Sequence, residues 1–364
     1  GGGAGRMRTL ILGGGPAGAA AAITLARAGA APILVERAAQ PVEKVCGEFL
    51  GADAASLLAG LGLDLPGLGA VPIRRAWFGA GRHRGDFALP FPAWSLPRMT
   101  LDAALLRRAA AEGAELRCGA AAVAAEPARE GWRLRLADGA VLEGGRLVLA
   151  TGKHEMRGLA RAAPPGALGL KLALEGVELG DAIALLAFRG GYAGLQPRAG
   201  GGANLCLALA PGTPGLAQAA RDPAALLAMV RQGSALAATL LRHARPGWVR
   251  PLAVGGVPYG FIHGAAGPAG LFRVGDQAAV VPSLCGDGIA MALASGQRAG
   301  MAIAQGGTEA AHHAAWARAV RPGMRLAGVA DGLMARAPSA LVLAVAGLPG
   351  LAGWAARQTR MGLA

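Results

Sequence analysis

Thr9-Leu10-Ile11-Leu12-Gly13-Gly14-Gly15-Pro16-Ala17-Gly18, followed by the small-residue run Ala19 to Ala28 and by Pro32-Ile33-Leu34-Val35-Glu36, sets the architecture of the N-terminal part of the chain. A short apolar run that stops on glycines reads as a buried parallel strand. Ala19 to Ala28, closed by Gly29, reads as a helix, and Pro32 to Glu36 as a second strand. This β-α-β order spans about 30 residues. Gly13, Gly15 and Gly18 occupy G-x-G-x-x-G spacing: the first allows the tight turn, the second lets backbone approach a pyrophosphate, the third lets helix and strand pack closely. With Pro16 and Ala17 between them, these residues form the candidate anion cradle, because a helix N-terminus offers unpaired N–H groups and a positive dipole end. Glu36 falls about 20 residues further on, where a carboxylate can accept ribose hydroxyls. A dinucleotide is the ligand these features predict.

Working outward, Leu101 to Glu112 reads as a helix with Thr100 as its N-cap. Val123 to Glu126, Trp132 to Leu136 and Ala140 to Glu143 read as a meander with a hairpin turn at Asp138-Gly139. Arg146 to Ala150 is another buried strand, ending at Thr151-Gly152. From Leu168 onward the texture changes. Leu168 to Glu175 and Asn204 to Leu209 alternate, as expected of antiparallel strands in a second sheet. Pro223 to Arg245 reads as one helix, Leu271 to Asp276 as a strand ending on Gly-Asp, and Gly288 to Ala304 as a long helix of small residues.

Composition narrows the class. The chain has 364 residues, 53% hydrophobic, which is enough for two domains and excludes general disorder. The net charge of +14 raises the question of nucleic acid, but the arginines are scattered and not interleaved with aromatics, so no nucleic-acid footprint is expected. Lysine is confined to Lys44, Lys153 and Lys171. Cys46, Cys118, Cys206 and Cys285 form no Cys-x-x-Cys pair and no zinc spacing. His83, His154, His243 and His263 likewise have no metal spacing, and no metal is expected. Free thiols and the lack of a signal-peptide pattern point to a cytoplasmic protein, with Gly1 to Arg6 read as a leader outside the fold. Ala337 to Ala356 is nearly all apolar and broken by Pro349-Gly350, which reads as a short buried helix with peripheral membrane contact as the alternative.

Val35-Glu36-Arg37 resembles the strand end of FAD-binding proteins of the glutathione-reductase type. Val274-Gly275-Asp276 through Pro282-Ser283-Leu284-Cys285-Gly286-Asp287-Gly288-Ile289 resembles the second FAD motif of the p-hydroxybenzoate hydroxylase superfamily, also called glutathione-reductase type 2. That resemblance implies that Asp276 binds the ribityl chain. It also implies that the Pro282 to Gly286 loop passes the isoalloxazine, and that the helix opening at Asp287, Gly288 and Ile289 points its N-terminus at the flavin. Lys44-Val45-Cys46-Gly47-Glu48 resembles the Lys-x-Cys-Gly loop of the geranylgeranyl reductase and FixC-like branch, which places Cys46 and Gly47 beside the ring. Pro97-Arg98 and Ala150-Thr151-Gly152 occur in the family's order, so Arg37, Arg98, Thr151 and Gly152 join the expected cofactor contacts. The aromatic motif of the prenyl reductases is half present: Tyr192 and Pro197 remain and its Trp and Phe do not.

The resemblance implies an α/β fold: a Rossmann-like FAD-binding domain (1–75, 98–160 and 251–320) with an inserted antiparallel β-sheet substrate domain (76–97 and 161–250) and a C-terminal helical segment (321–364). The leading expectation is an FAD-dependent oxidoreductase of the reductase or dehydrogenase type, moving hydride between flavin N5 and a hydrophobic unsaturated small molecule. Cys46 and Tyr192 are its candidate catalytic residues. NAD(P)H, another reductant or an electron-donor protein would act transiently, since no second G-x-G-x-x-G context occurs. The alternatives are a monooxygenase or halogenase acting through a flavin C4a-hydroperoxide on an aromatic or polyketide-like substrate, and a non-catalytic FAD electron-relay protein. No Trp-x-Trp pair of the halogenase kind is present.

Overall fold

The structure is a computed structural model and describes residues 8–163, 166–264 and 267–347. Gly1 to Arg6, and the Pro349-Gly350 break with the residues C-terminal to it, lie outside the described residues.

Five parallel strands form the first sheet in the order Leu271–Arg273, Arg146–Leu149, Thr9–Leu12, Ile33–Glu36, Glu115–Cys118. Both faces are covered, as an all-parallel sheet requires. Side chains alternate across it. Ile11, Leu34, Val148 and Phe272 join a helix-side core, whereas Leu10, Leu12, Ile33, Val35, Leu147 and Leu149 pack on the other side. There they meet Trp132, Leu134 and Leu136 of the three-stranded meander Ala122–Ala128, Gly131–Leu136, Val141–Gly144. On the helix side, Pro16–Arg27 packs against Gly288–Ala304. The contact is backbone-close: a methyl group on Gly296 would stand 2.1 Å from the Ala17 carbonyl oxygen. That proximity explains the run of alanines and glycines in both helices.

The first helix begins at Pro16 rather than Ala19, because Pro16 at its first position continues straight from the glycine turn. The helix expected from Leu101 also starts earlier, as Arg98–Ala111, with Pro97 and not Thr100 at its N-cap. Its first free N–H, on Arg98, is satisfied by the distant Glu48 carboxylate at 3.0 Å, which the local sequence could not reveal. The strand at Leu271 ends at Arg273; Gly275, with φ +59°, turns the chain into a 3₁₀ turn at Gly275–Gln277.

The second sheet has nine strands. Along its main path run Arg245–Pro246, Ala167–Glu175, Ala203–Leu209, Gly191–Pro197, Ala182–Phe188, Val71–Ala80, His83–Ser95 and Phe49–Leu50, with Leu252–Val257 pairing beside Ala167–Glu175. It is antiparallel except where Ala182–Phe188 runs parallel to Val71–Ala80. Leu170, Leu172, Leu174, Leu205 and Leu209 face a helical cover containing Leu226, Val230 and Leu236. That cover is two helices, Pro223–Gly233 and Ala235–Leu240, instead of the single one expected. Ser234 is extended, with φ −158°, and its hydroxyl accepts from the Ala237 N–H, ending one helix and capping the next. Helices Glu309–Arg336, with Pro322 inside, and Pro338–Gly347 complete the described chain. Among the described residues no helix is long and apolar enough to cross a membrane.

Candidate functional site

The C-terminal ends of Thr9–Leu12 and Ile33–Glu36 meet the inner face of the second sheet across a cavity of about 880 Å³. At the dinucleotide end Gly13 adopts φ +113°, and a methyl group there would stand 2.3 Å from the Ala150 carbonyl oxygen. A methyl on Gly18 would stand 1.9 Å from the Gly13 oxygen. The turn is therefore closed tightly enough to exclude side chains, leaving backbone N–H groups at the start of Pro16–Arg27 as its polar surface. Glu36 accepts from the Gly14 N–H at 2.7 Å and the Ala38 N–H at 3.0 Å, which aims its carboxylate along the turn. These residues fit a dinucleotide pyrophosphate and its ribose.

The expected contacts Gly13, Gly15, Pro16, Ala17, Glu36, Arg37, Cys46, Gly47, Arg98, Thr151, Gly152, Gly275, Asp276, Gly286, Gly288 and Ile289 all line this cavity, as does Tyr192. Gly18, Pro282 and Asp287 do not line it; Gly18 lies packed under Gly13. His83 and His243 are also absent from its wall, whereas Lys153 and His154 lie on it, His154 bonded to Arg37 at 2.9 Å.

The Cys-Gly loop is held from three directions. Asn204 donates to the Cys46 and Gly47 carbonyls at 3.1 and 3.3 Å. The Glu48 N–H points at the Cys46 thiol at 3.3 Å, with Glu48 itself in a left-handed conformation of φ +65°. Lys171, on the second sheet, pairs with Glu43 and Glu48 at 2.6 Å each. Burial works against the Lys171 charge, but the two carboxylates outweigh it and raise its pKa. Arg98 links this loop to the turn. Its guanidinium forms a two-point pair with Asp102 at 2.9 Å and lies against Gly15. Burial opposes its charge too, yet Asp102, and after it Cys46, hold it firmly protonated.

Segment 152–161 is laced to 273–277 by a network that no local sequence pattern announces. Arg273 donates to Gln277 and to the Leu159 carbonyl; Gln277 donates to the Gly152 and His154 carbonyls; Arg161 reaches the Asp276 carbonyl. Asp276 is paired with Lys153 at 3.1 Å, which raises the lysine pKa against its burial. Lys44 and Lys153 line the cavity and Lys171 braces its loop, so every lysine of the chain gathers at the site. In a sequence otherwise committed to arginine, that was the signal available.

The far arm of the cavity is apolar, lined by Phe78, Phe87, Phe91, Ile183 and Leu185, with the Phe78 and Phe87 rings stacked at 5.7 Å. Cys46, Cys118, Cys206 and Cys285 are not joined in disulfides, and all four border the cavity. Burial pushes the Cys206 thiol up to about 12 and raises the Tyr192 phenol well above its ordinary range.

Behind the site, His312 and His313 are buried on Glu309–Arg336, near His263; the His263 and His313 rings meet edge-on at 4.7 Å. His313 Nε2 accepts from the Arg273 N–H at 2.9 Å, so the neutral ring carries its proton on Nδ1. Burial pushes His263 and His312 down to about 4 and His313 to about 3. A base with a depressed folded pKa leaves the unfolded chain holding more protons, so its contribution is complete above about 6.5 and is lost as pH falls through the folded values. Each fully buried imidazole is expected to remove about 1.4 kcal/mol per pH unit across that window. Melting temperatures recorded from neutral pH to pH about 4.5 check this, and a His313→Gln protein should lose stability less steeply. An identical slope would remove His313 from the account.

This arrangement defines a flavoprotein. Residues 6–140 match the FAD-binding domain family, and the dinucleotide for which the site is built is FAD. A menaquinone reductase of Mycobacterium tuberculosis is 33% identical over 157 residues, which cover 41% of this chain; the match spans only 38% of that relative's length. The flavin-dependent brominase Bmp2 superimposes with a TM-score of 0.82 at 18% identity, over 98% of this chain and 94% of its own. A geranylgeranyl bacteriochlorophyll reductase-like protein from Thermoplasma acidophilum does so at 0.73 and 17% identity, over 99% and 94%. At these identities the two structures establish a shared fold, with a parallel sheet and an antiparallel sheet arranged as in these flavoproteins.

Proposed function

We propose that this chain is an FAD-dependent oxidoreductase of the reductase type, acting on an apolar, unsaturated small molecule. The observation that carries the proposal is that one cavity is lined both by the dinucleotide turn with Cys46 and Gly286 and by an apolar arm of Phe78, Phe87 and Leu185. When bound, FAD supplies two-electron chemistry. The protein's share is to hold it and to exclude water. Gly13 to Gly18 would hold the pyrophosphate, Glu36 the adenosine ribose, and Asp276, paired with Lys153, the ribityl chain. The Cys46-Gly47 loop and the helix opening at Gly288 present donors to the ring, where a positive helix end favours the reduced, anionic form. The apolar arm favours a substrate that gives up water on binding. The likeness to a menaquinone reductase supports reduction over halogenation, as does the missing Trp-x-Trp pair.

The purified holoprotein, reduced by a nicotinamide or by dithionite and then exposed to oxygen with bromide and a phenolic acceptor, is expected to return its electrons as hydrogen peroxide. Halide and oxygen atoms should stay out of the acceptor. Bromination or hydroxylation in proportion to oxygen consumed would overturn the reductase reading. Electron transfer to proteins alone, with no small-molecule acceptor reduced anaerobically, would favour an electron-relay role.

A further inference from the structure

The cavity wall carries a second polar device, at the Pro282 to Gly286 loop. Tyr259 and Ser283 both line the cavity, and their hydroxyls are 2.5 Å apart. Backbone bonds fix this pair. The Gly260 N–H donates to the Val280 carbonyl, the Val280 N–H to Phe261, and the His263 N–H to Ala278, so segment 260–263 is strapped to 278–280 just before the turn that bears Ser283. The chain contains two tyrosines, Tyr192 and Tyr259, and both face this one space.

The electrostatics around Tyr259 suit an acid that gives up its proton only on demand. Burial pushes the phenol up to about 12, which keeps it protonated at neutral pH. The Lys153 ammonium and the Ser283 hydroxyl act in the opposite direction and would stabilise a phenolate once formed; Cys206 and Asp276 oppose them more weakly. A phenol near a fixed cation and a hydroxyl is an arrangement able to deliver a proton to an oxygen that gains negative charge.

We propose that Tyr259, relayed by Ser283, is the proton donor of the reaction, and that the substrate is a conjugated carbonyl compound of the quinone or enone type. This rests on the reductase reading above. Two electrons and one hydrogen pass as hydride from the reduced cofactor to the substrate. The Tyr259 O–H bond breaks as a new O–H bond forms on the substrate oxygen. The phenolate, held by Ser283 and Lys153, regains its proton from water through Ser283. The sum is reduced flavin, substrate and one proton giving oxidised flavin and dihydro-substrate; a nicotinamide or another two-electron donor then restores the flavin.

The test uses FAD-loaded protein, reduced anaerobically and mixed with a singly prenylated menaquinone. Tyr259→Phe is expected to slow saturating reoxidation about 100-fold, with the wild-type solvent isotope effect lost. Reoxidation by ferricenium, which takes electrons without a proton, should keep its rate. A readout independent of turnover is quinone binding to the oxidised protein, which should weaken about tenfold through the lost hydrogen bond to the carbonyl. Should Tyr259→Phe fail to retain FAD, Ser283→Ala carries the test, with a smaller slowing and the same ferricenium control. A Tyr259→Phe rate equal to wild type, or slowing that ferricenium shares, defeats the proton-donor role and leaves the reductase reading intact. Wild-type protein that reduces isolated alkenes but neither quinones nor enones defeats the substrate class. Wild-type protein inert to every organic acceptor defeats both proposals.

Discussion

Lys171→Met is expected to lower the unfolding free energy by about 3–5 kcal/mol and to loosen the Cys46 loop. The lysine side chain is 2% exposed, and it is the shared partner of Glu43 and Glu48. Glu48 is equally buried, so removing the cation strands a carboxylate whose other contact is the Arg98 N–H. A fully apolar replacement is less damaging than half of one, because the penalty belongs to the uncompensated charge. The double variant Lys171→Met, Glu48→Gln should therefore recover part of the loss. Urea midpoints of the three proteins check the order, together with the rate at which Cys46 is alkylated, which should rise in the single variant. A midpoint at the wild-type value in Lys171→Met would mean that the triad carries no stability.

Gly18→Ala is expected to abolish flavin retention with the rest of the fold largely kept. The added methyl would lie 1.9 Å from the Gly13 oxygen, a backbone atom that can move only by opening the turn. Overpacking of this kind costs about 3 kcal/mol, and if the cost falls on the bound turn it weakens FAD by about 100-fold. The measurement is the flavin-to-protein ratio after gel filtration, with far-ultraviolet circular dichroism as the check on folding. Gly60→Ala is the matched control. Its added methyl meets nothing within 4 Å and it ends the helix Ala52–Gly60 without a left-handed backbone, so flavin content should be unchanged. Stoichiometric FAD in Gly18→Ala would show that the turn can open at little expense.

Features legible in the sequence share one property: local order suffices to encode them. The turn at Gly13 to Gly18, Glu36 at the end of its strand, the Gly-Asp motif and the helix Gly288–Ala304 are each written in consecutive residues. What escaped depends on partners far away in the chain. Arg98 begins its helix because Glu48 accepts its N–H, and Thr100 looked like the cap only while that partner was unseen. Ser234 breaks a helix-favouring run because its hydroxyl serves the following turn. Lys171 sits in an alternating strand where a charge reads as solvent-facing, yet that face meets the Cys46 loop instead of water. Tyr259 lies in a Gly- and Pro-rich connection that has no periodicity to read, and only its backbone pairing with 278–280 brings it to Ser283. His312 and His313 become notable only through their contact with His263 and Arg273.

The order of strands in the first sheet has a consequence for how the chain is made. Its N-terminal strand Thr9–Leu12 is central, but the edge strand Leu271–Arg273 arrives some two-thirds of the chain later, and the helix packed against Pro16–Arg27 later still. During synthesis the flavin sheet must therefore wait, with Arg146–Leu149 as an open edge and the Ala19 to Ala22 face uncovered, while the second sheet's remaining strands, Ala167–Glu175 to Leu252–Val257, emerge. Closure over such a sequence separation is slow, and uncovered parallel edges invite association with other chains. Shortened forms ending before Leu271 would keep that edge permanently, which makes the last quarter of the chain a condition for the solubility of the first.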